Sequence, residues 1–129
     1  MTATTANPAP GWATKPEHRV DLHPESRRVR VTYAGTVIGD TTSALRVEET
    51  GHGPVMYIPA KDMRLDLMTK TEHSTYCPFK GKASYWTIKV GDQASENAIW
   101  GYETPYDETA ELAGHYAFYG NRVDGIEIG

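Results

Sequence analysis

The sequence lacks several features that mark specialised classes of protein. Its 129 residues include a single cysteine, Cys77, so no disulfide can form within the chain. Basic residues are not in excess: 13 Lys and Arg face 17 Asp and Glu, whereas nucleic-acid-binding domains usually present a basic surface. No run of about 20 apolar residues is long enough for a membrane helix, and no secretory signal pattern is present. We therefore expect a cytoplasmic protein that binds neither nucleic acid nor membrane.

Motifs for metals are also missing. No two of the five histidines have the HxH or HxxxH spacing of a local metal site, and a lone cysteine supplies no cysteine pair for structural zinc. The histidines are His18, His23, His52, His73 and His115. We expect no metal and no cofactor.

The composition is that of one ordinary globular domain, with 39% hydrophobic and 23% charged residues. Residues 1–16 are rich in Thr, Ala and Pro and predict a flexible N-terminal arm, followed by a single domain over residues 17–129. Trp12 is the exception in this arm, because an aromatic side chain in a polar tail either docks on the body or contacts a partner. A second copy of the chain is one such partner, so a homodimer stays open.

Short alternating apolar segments predict a mainly β, antiparallel fold. A hairpin is expected over residues 28–40, then strands at 44–48, 55–59, 84–90 and 98–102, and final strands from Tyr116 to Ile128. Residues 62–68 also alternate and predict a strand, with a one-turn helix at residues 60–63 as the alternative. A single short helix is expected near residues 107–113, beginning at an Asp N-cap and ending at Gly114.

The segment around Cys77 is the first candidate site. Cys77 is followed by Pro78, Phe79, Lys80 and Gly81, and Lys82 is close by. Nearby cations favour the reactive thiolate, which makes Cys77 a candidate nucleophile and Lys80 a candidate anion-binding group. The alternative is a turn with an inert, half-buried sulfur and a solvated lysine, in which Gly81 adopts a positive φ.

Aromatic residues suggest a second feature, a slot for a flat or cationic ligand. Because side chains alternate along a strand, Tyr85 and Trp86 point to opposite faces, whereas Trp100 and Tyr102 share one. We therefore predict a pocket wall of Trp100 and Tyr102 with either Tyr85 or Trp86, and Tyr116 as a further ligand-binding candidate. The alternative is that these side chains form only the core.

Two charged residues complete the candidates. Arg64 is suited to clamp a carboxylate or phosphate, and Glu103 or Tyr102 to move a proton, if either approaches Cys77. Pairing of Arg64 with Glu103, or of each with solvent, is the alternative.

Four motifs together resemble a family of bacteria and fungi, the domain of unknown function 427. They cover about residues 28–125. The motifs are YIP (residues 57–59) with Asp62 and Arg64, CPFKG (residues 77–81) with Tyr85 and Trp86, WGYETP (residues 100–105) and AGHYAFY (residues 113–119). The resemblance implies a small antiparallel β-tent-like sheet or barrel, related in topology to methionine sulfoxide reductase B and the cereblon ligand-binding domain. The family is sometimes labelled nucleotidyltransferase-like, but the chain has no Gly-Ser phosphate loop followed by an Asp-x-Asp pair for magnesium.

Three functions stay open from the sequence. The first is a small-molecule enzyme that uses Cys77, Glu103 or Tyr102 for chemistry and Arg64 or Lys80 to hold an anionic group. The second is a noncatalytic module that binds a small molecule in the aromatic slot. The third is a protein-interaction module that uses the N-terminal tail.

Overall fold

The structure is a computed structural model that describes residues 6–129. Within residues 6–129, ten strands account for about half of the chain. They are β1 (Val20–Glu25), β2 (Val29–Tyr33), β3 (Thr36–Thr41), β4 (Ala44–Glu49), β5 (Val55–Pro59), β6 (Met68–Cys77), β7 (Gly81–Val90), β8 (Gln93–Gly101), β9 (His115–Phe118) and β10 (Gly125–Ile128). The helical segments are one α-helical turn, α1 (Gly11–Thr14), and 3-10 turns at Ala60–Asp62, Leu65–Leu67, Asp107–Leu112 and Gly120–Arg122.

The strands form two antiparallel sheets, which confirms the predicted mainly β fold. The larger sheet has the order β1-β4-β5-β9-β8-β7-β6, and the smaller has the order β10-β2-β3. Within residues 6–129 the larger sheet ends at β1 and β6, which do not pair with each other, so it stays open rather than closing into a barrel. No helix among the described residues is long and apolar enough to cross a bilayer.

The larger sheet is nearly split at its centre. Strand β5 pairs with β9 only at Ile58–Tyr116 and Pro59–His115, while its earlier residues pair with β4 alone. The sheet therefore consists of two wings, β1-β4-β5 and β6-β7-β8-β9, that are joined at one short ladder. The open side of this junction is where the candidate site lies.

Two apolar clusters fill the interior. One contains Val29 and Ile38 of the small sheet with Trp86 and Ile99 of the large sheet. The other lies between the two wings and includes Tyr57, Tyr85, Tyr102 and Leu112. Adjacent residues of β7 thus serve different clusters, as strand alternation requires.

Gly101 allows β8 and β9 to approach closely. A Cβ atom at this position would lie 2.9 Å from the backbone oxygen of His115, and backbone cannot move aside as a flexible side chain can. Gly101→Ala is therefore expected to lower the free energy of unfolding by about 1–3 kcal/mol, the usual cost of overpacking.

Urea denaturation checks this prediction, and Gly120→Ala is the matched control because a Cβ there meets no atom within 4 Å. Equal stability of the two variants would show that the β8–β9 contact adjusts without strain.

The predicted strand at residues 62–68 is wrong. Two 3-10 turns, Ala60–Asp62 and Leu65–Leu67, occupy most of this segment, and strand β6 begins only at Met68. Local hydrogen bonds produce the turns, since the Met63 amide donates to the Ala60 carbonyl and the Leu67 amide donates to the Arg64 carbonyl. The alternative, a single helical turn near residues 60–63, matches the first of them.

The predicted helix near residues 107–113 is present as a 3-10 segment that is kinked at Thr109. Its N-cap position is occupied by Tyr106 rather than by Asp107. The carboxylate of Asp107 accepts a hydrogen bond of 2.7 Å from the amide of Asn7 instead, so the acidic side chain ties down the N-terminal segment.

The described part of the predicted flexible arm is packed against the body. The Gly11 amide donates a 2.9 Å hydrogen bond to the Pro78 carbonyl, and the Trp12 ring meets the Phe79 ring edge-on with centroids 4.8 Å apart. Both contacts join residues that are distant in sequence, and docking on the body is one of the two alternatives that the sequence left open for Trp12. Residues 1–5 of that arm lie outside the described residues.

Candidate functional site

A cleft of about 400 Å³ lies at the opening between the two wings. We call it the aromatic cleft, because six of its lining residues are aromatic: Tyr57, Tyr76, Tyr85, Trp100, Tyr102 and Tyr119. Its polar lining comprises Glu49, His52, Thr75, Cys77 and Lys80, and Val47, Gly53 and Val55 complete it.

Strand register places the aromatic side chains on one face. Tyr85 on β7 lies directly opposite Trp100 on β8, which in turn lies opposite Ala117 on β9. Because side chains alternate, Tyr119 lies on the same side as Ala117, and it packs on Trp100 with ring centroids 4.6 Å apart. The small side chain of Ala117 leaves space on this face of the sheet, and the larger rings of its neighbours border that space.

The opposite wall is formed by Tyr57 on β5. Its ring meets that of Trp100 edge-on, with centroids 6.2 Å apart and an interplanar angle of 86°. The indole Nε1–H of Trp100 donates a 3.1 Å hydrogen bond to the Tyr57 hydroxyl. This bond bridges the two wings and fixes the orientation of both rings.

Burial raises the pKa values of three phenols in the cleft. The pKa values of Tyr57 and Tyr102 are well above the ordinary value, chiefly because burial penalises the phenolate. The pKa of Tyr119 is raised to about 12 by burial and by its contact with Tyr85. At neutral pH these hydroxyls are therefore donors of hydrogen bonds rather than bases.

A charged cluster closes one end of the cleft. Lys80 Nζ donates to Glu49 Oε1 at 2.6 Å, and His18 Nε2 lies 2.9 Å from Glu49 Oε2. The side chains of Lys80 and Glu49 are only 11% and 12% exposed. Burial acts to raise the pKa of Glu49, but hydrogen bonds from Lys80 and His18 outweigh it, so the net pKa is lowered and the carboxylate is charged.

Lys80 is therefore not an isolated cation beside the thiol. Its ammonium group is paired with Glu49 and lies 5.6 Å from the centre of the Tyr102 ring. Cys77 is a half-buried free cysteine that lines the same cleft, whereas Lys82 is exposed on β7 opposite Tyr76. Gly81 has φ of 118°, which confirms the predicted positive φ in this turn.

The structure does not bring Arg64 and Glu103 to the cleft. Arg64 pairs with Asp66, two residues away, in an exposed turn. Glu103 accepts hydrogen bonds from Lys70 and Ser84 and is half exposed. Those two bonds lower the pKa of Glu103, which is the opposite of the shift that a general acid requires.

Trp86 and Tyr116 also lie elsewhere. Their rings meet edge-on, with centroids 5.0 Å apart, on the opposite face of the sheet from the cleft. Trp86 is buried in the cluster between the two sheets, and Tyr116 packs against that cluster. Of the sequence candidates, Cys77, Lys80, Tyr85, Trp100 and Tyr102 share the cleft.

Sequence reasoning missed Glu49 and Tyr119. Alternation along β4 was a usable signal, because Leu45 and Val47 are buried between the wings and Glu49 continues the same face. Tyr119 follows strand β9 by one residue and was hidden by its neighbours Tyr116 and Phe118, which face the other way.

A second cavity of about 270 Å³ lies near the cleft, and Trp100 and Val55 line both. The other side chains that line it, such as Val29, Ile58 and Phe118, are apolar, so apart from Trp100 it has no polar side chain to orient a ligand. Residues 6–129 contain no group of three His, Cys, Asp or Glu side chains placed to hold a metal ion.

Comparison with known proteins agrees with the motifs in the sequence. The family model described as "Domain of unknown function (DUF427)" matches residues 21–129, which include all ten strands except the first residue of β1. No curated protein matches the chain.

Proposed function

We propose that this chain, which belongs to the DUF427 family, binds a small molecule with a flat ring in the aromatic cleft. The observation that carries the proposal is the arrangement of Trp100, Tyr119 and Tyr57 around one opening. Contacts between the rings and the hydrogen bond from Trp100 to Tyr57 fix the orientations of these side chains. Flat rings gain from stacked or edge-on contact with such side chains beyond the area they bury.

The size and polarity of the cleft support this proposal. Its volume of about 400 Å³ is within the range of small-molecule sites, roughly 300–1,000 Å³. Such sites combine apolar walls with a few polar groups that fix the orientation of the ligand. Here the rings supply the walls, and Thr75, Lys80 and the phenols supply the polar groups.

The three tryptophans make a direct test possible. Trp100 lines the cleft, whereas Trp12 packs on Phe79 and Trp86 is buried between the sheets. In a titration with naphthalene-2-carboxamide followed by NMR, we expect the indole N–H signal of Trp100 to shift with saturation, with those of Trp12 and Trp86 as internal controls. An unmoved Trp100 signal, or equal shifts of all three, would contradict binding in the cleft.

A catalytic role for Cys77 is a second proposal. It is supported by the free, half-buried thiol in the lining of the cleft, which would lie beside a bound molecule. Glu103 pairs with Lys70 and Ser84 outside the cleft, so it is not available there as an acid or base. Tyr102, whose pKa is raised by burial, would act only as a hydrogen-bond donor. If the thiol faces the bound molecule, naphthalene-2-carboxamide should slow alkylation of Cys77 by iodoacetamide in proportion to occupancy. Alkylation at the same rate with and without the carboxamide would remove the thiol from the site.

We also propose a cytoplasmic location and a homodimer. A cytoplasmic location is supported by the single cysteine, which needs no oxidising compartment. A homodimer is supported by the exposed Ile126 and Ile128 on β10, an edge strand. One sedimentation coefficient, that of a monomer, across a wide range of concentration would contradict the dimer.

A further inference from the structure

The Tyr102 hydroxyl is a buried donor without a partner among the described residues. The residue is 7% exposed and lines the aromatic cleft, and no side chain or backbone group of residues 6–129 forms a hydrogen bond with its oxygen. That oxygen is nevertheless not sealed from the surface, since the one fully buried unpaired side-chain polar atom in the described chain is Nε of Arg30. The hydroxyl therefore opens toward the cleft.

The Tyr57 hydroxyl is a second donor at the same place. Its oxygen accepts the indole N–H of Trp100, which leaves its own proton without an acceptor among residues 6–129. Tyr57 and Tyr102 belong to the same cluster between the wings, and both residues line the part of the cleft that we call its floor.

The charges around these donors disfavour a charged ligand. Lys80 Nζ donates to Glu49 Oε1 at 2.6 Å, so neither side chain is free to balance a charge on a ligand. A charged ligand group would lose its hydration at this floor without gaining a partner of opposite charge, which costs free energy. Because Lys80 and Glu49 neutralise each other, the interaction left for a ligand at this place is a hydrogen bond from the tyrosine hydroxyls.

On the basis of the proposed function, we infer that the ligand is uncharged and presents a carbonyl oxygen to the hydroxyls of Tyr57 and Tyr102. A carbonyl oxygen has two lone pairs and accepts two donors in the plane of the group. A carbonyl conjugated with a flat ring, as in an aromatic carboxamide or a lactam, keeps that plane parallel to the ring. The ring then contacts Trp100 and Tyr119 while its carbonyl reaches the floor.

The test compares three probes of the same shape and different charge. They are naphthalene-2-carboxamide, naphthalene-2-carboxylate and naphthalen-2-ylmethylammonium, each titrated by NMR into wild-type protein and into Tyr102→Phe. This variant removes a hydroxyl that forms no bond with residues 6–129, so its folding should be retained. Tyr33→Phe is the matched control, because Tyr33 packs against the other cluster.

We expect the carboxamide to bind most tightly, and Tyr102→Phe to raise its Kd about threefold to tenfold, the net worth of one hydrogen bond. Tyr33→Phe should leave that Kd unchanged. Equal or tighter binding of either charged probe, or an unchanged carboxamide Kd in Tyr102→Phe, would overturn the inference while the cleft remained a binding site. If no probe moves the Trp100 signal, the proposed function fails as well.

Discussion

Replacement of Glu49 by leucine is expected to lower the free energy of unfolding by about 3 kcal/mol, the low end for breaking a buried ion pair. Glu49 accepts hydrogen bonds from both Lys80 and His18, and the Glu49 and Lys80 side chains are nearly buried. Removing the carboxylate leaves the Lys80 ammonium in a poorly solvated place without its partner. The low end applies because the pair borders an open cleft. Urea denaturation at pH 7 measures the change.

A double variant provides the control for this prediction. In Glu49→Leu with Lys80→Met, no buried charge lacks a partner, so most of the lost stability should return. A loss below about 0.5 kcal/mol in the single variant would show that solvent screens the pair as it does at an exposed surface.

The same pair predicts the direction of a pH effect. The folded pKa of Glu49 is below its ordinary value of 4.5, so its contribution to stability is present above the unfolded pKa and is lost as pH falls through the folded pKa. Below about pH 4.5 the wild type should therefore lose stability more steeply than the double variant. Parallel loss in both proteins would place the acid sensitivity in other groups.

Trp100→Leu is expected to weaken the binding of naphthalene-2-carboxamide at least about tenfold, since stacking and buried aromatic area are lost together. The variant also removes the N–H that holds the Tyr57 hydroxyl, so the two wings lose a link. Isothermal titration calorimetry measures the affinity, and circular dichroism shows whether the fold is retained.

Trp12→Leu is the matched control for Trp100, because it also removes an indole, but one that packs on Phe79 outside the cleft. Its affinity for the carboxamide should equal that of the wild type. Equal affinity of Trp100→Leu and the wild type would contradict a site built around Trp100.

Local periodicity was sufficient to predict which residues share a face. Tyr85 and Trp86 are adjacent in β7 and lie in different apolar clusters, as alternation requires. The same rule failed over residues 62–68, where polar and apolar residues alternate but backbone hydrogen bonds three residues apart form 3-10 turns. Alternation is necessary for a half-buried strand, but it does not by itself exclude turns.

The sequence pattern did not indicate how the charged side chains pair. Lys80 and Glu49 are 31 residues apart, and they meet only because β4 and the turn before β7 border the same cleft. Arg64 and Glu103 were candidates for a shared site, but Asp66 is close enough to pair with Arg64, and strand pairing brings Lys70 and Ser84 to Glu103. The contacts of Lys80 and Glu103 depend on tertiary structure, whereas the pairing of Arg64 with Asp66 is local in the sequence.

A crystal structure of the protein with naphthalene-2-carboxamide would show whether the aromatic cleft holds a flat ligand. We expect the ring to lie against Trp100 and Tyr119, with the carbonyl oxygen within hydrogen-bond distance of the Tyr57 and Tyr102 hydroxyls. A cleft that is closed by its own aromatic side chains, or a carboxamide bound only in the neighbouring apolar cavity, would contradict it.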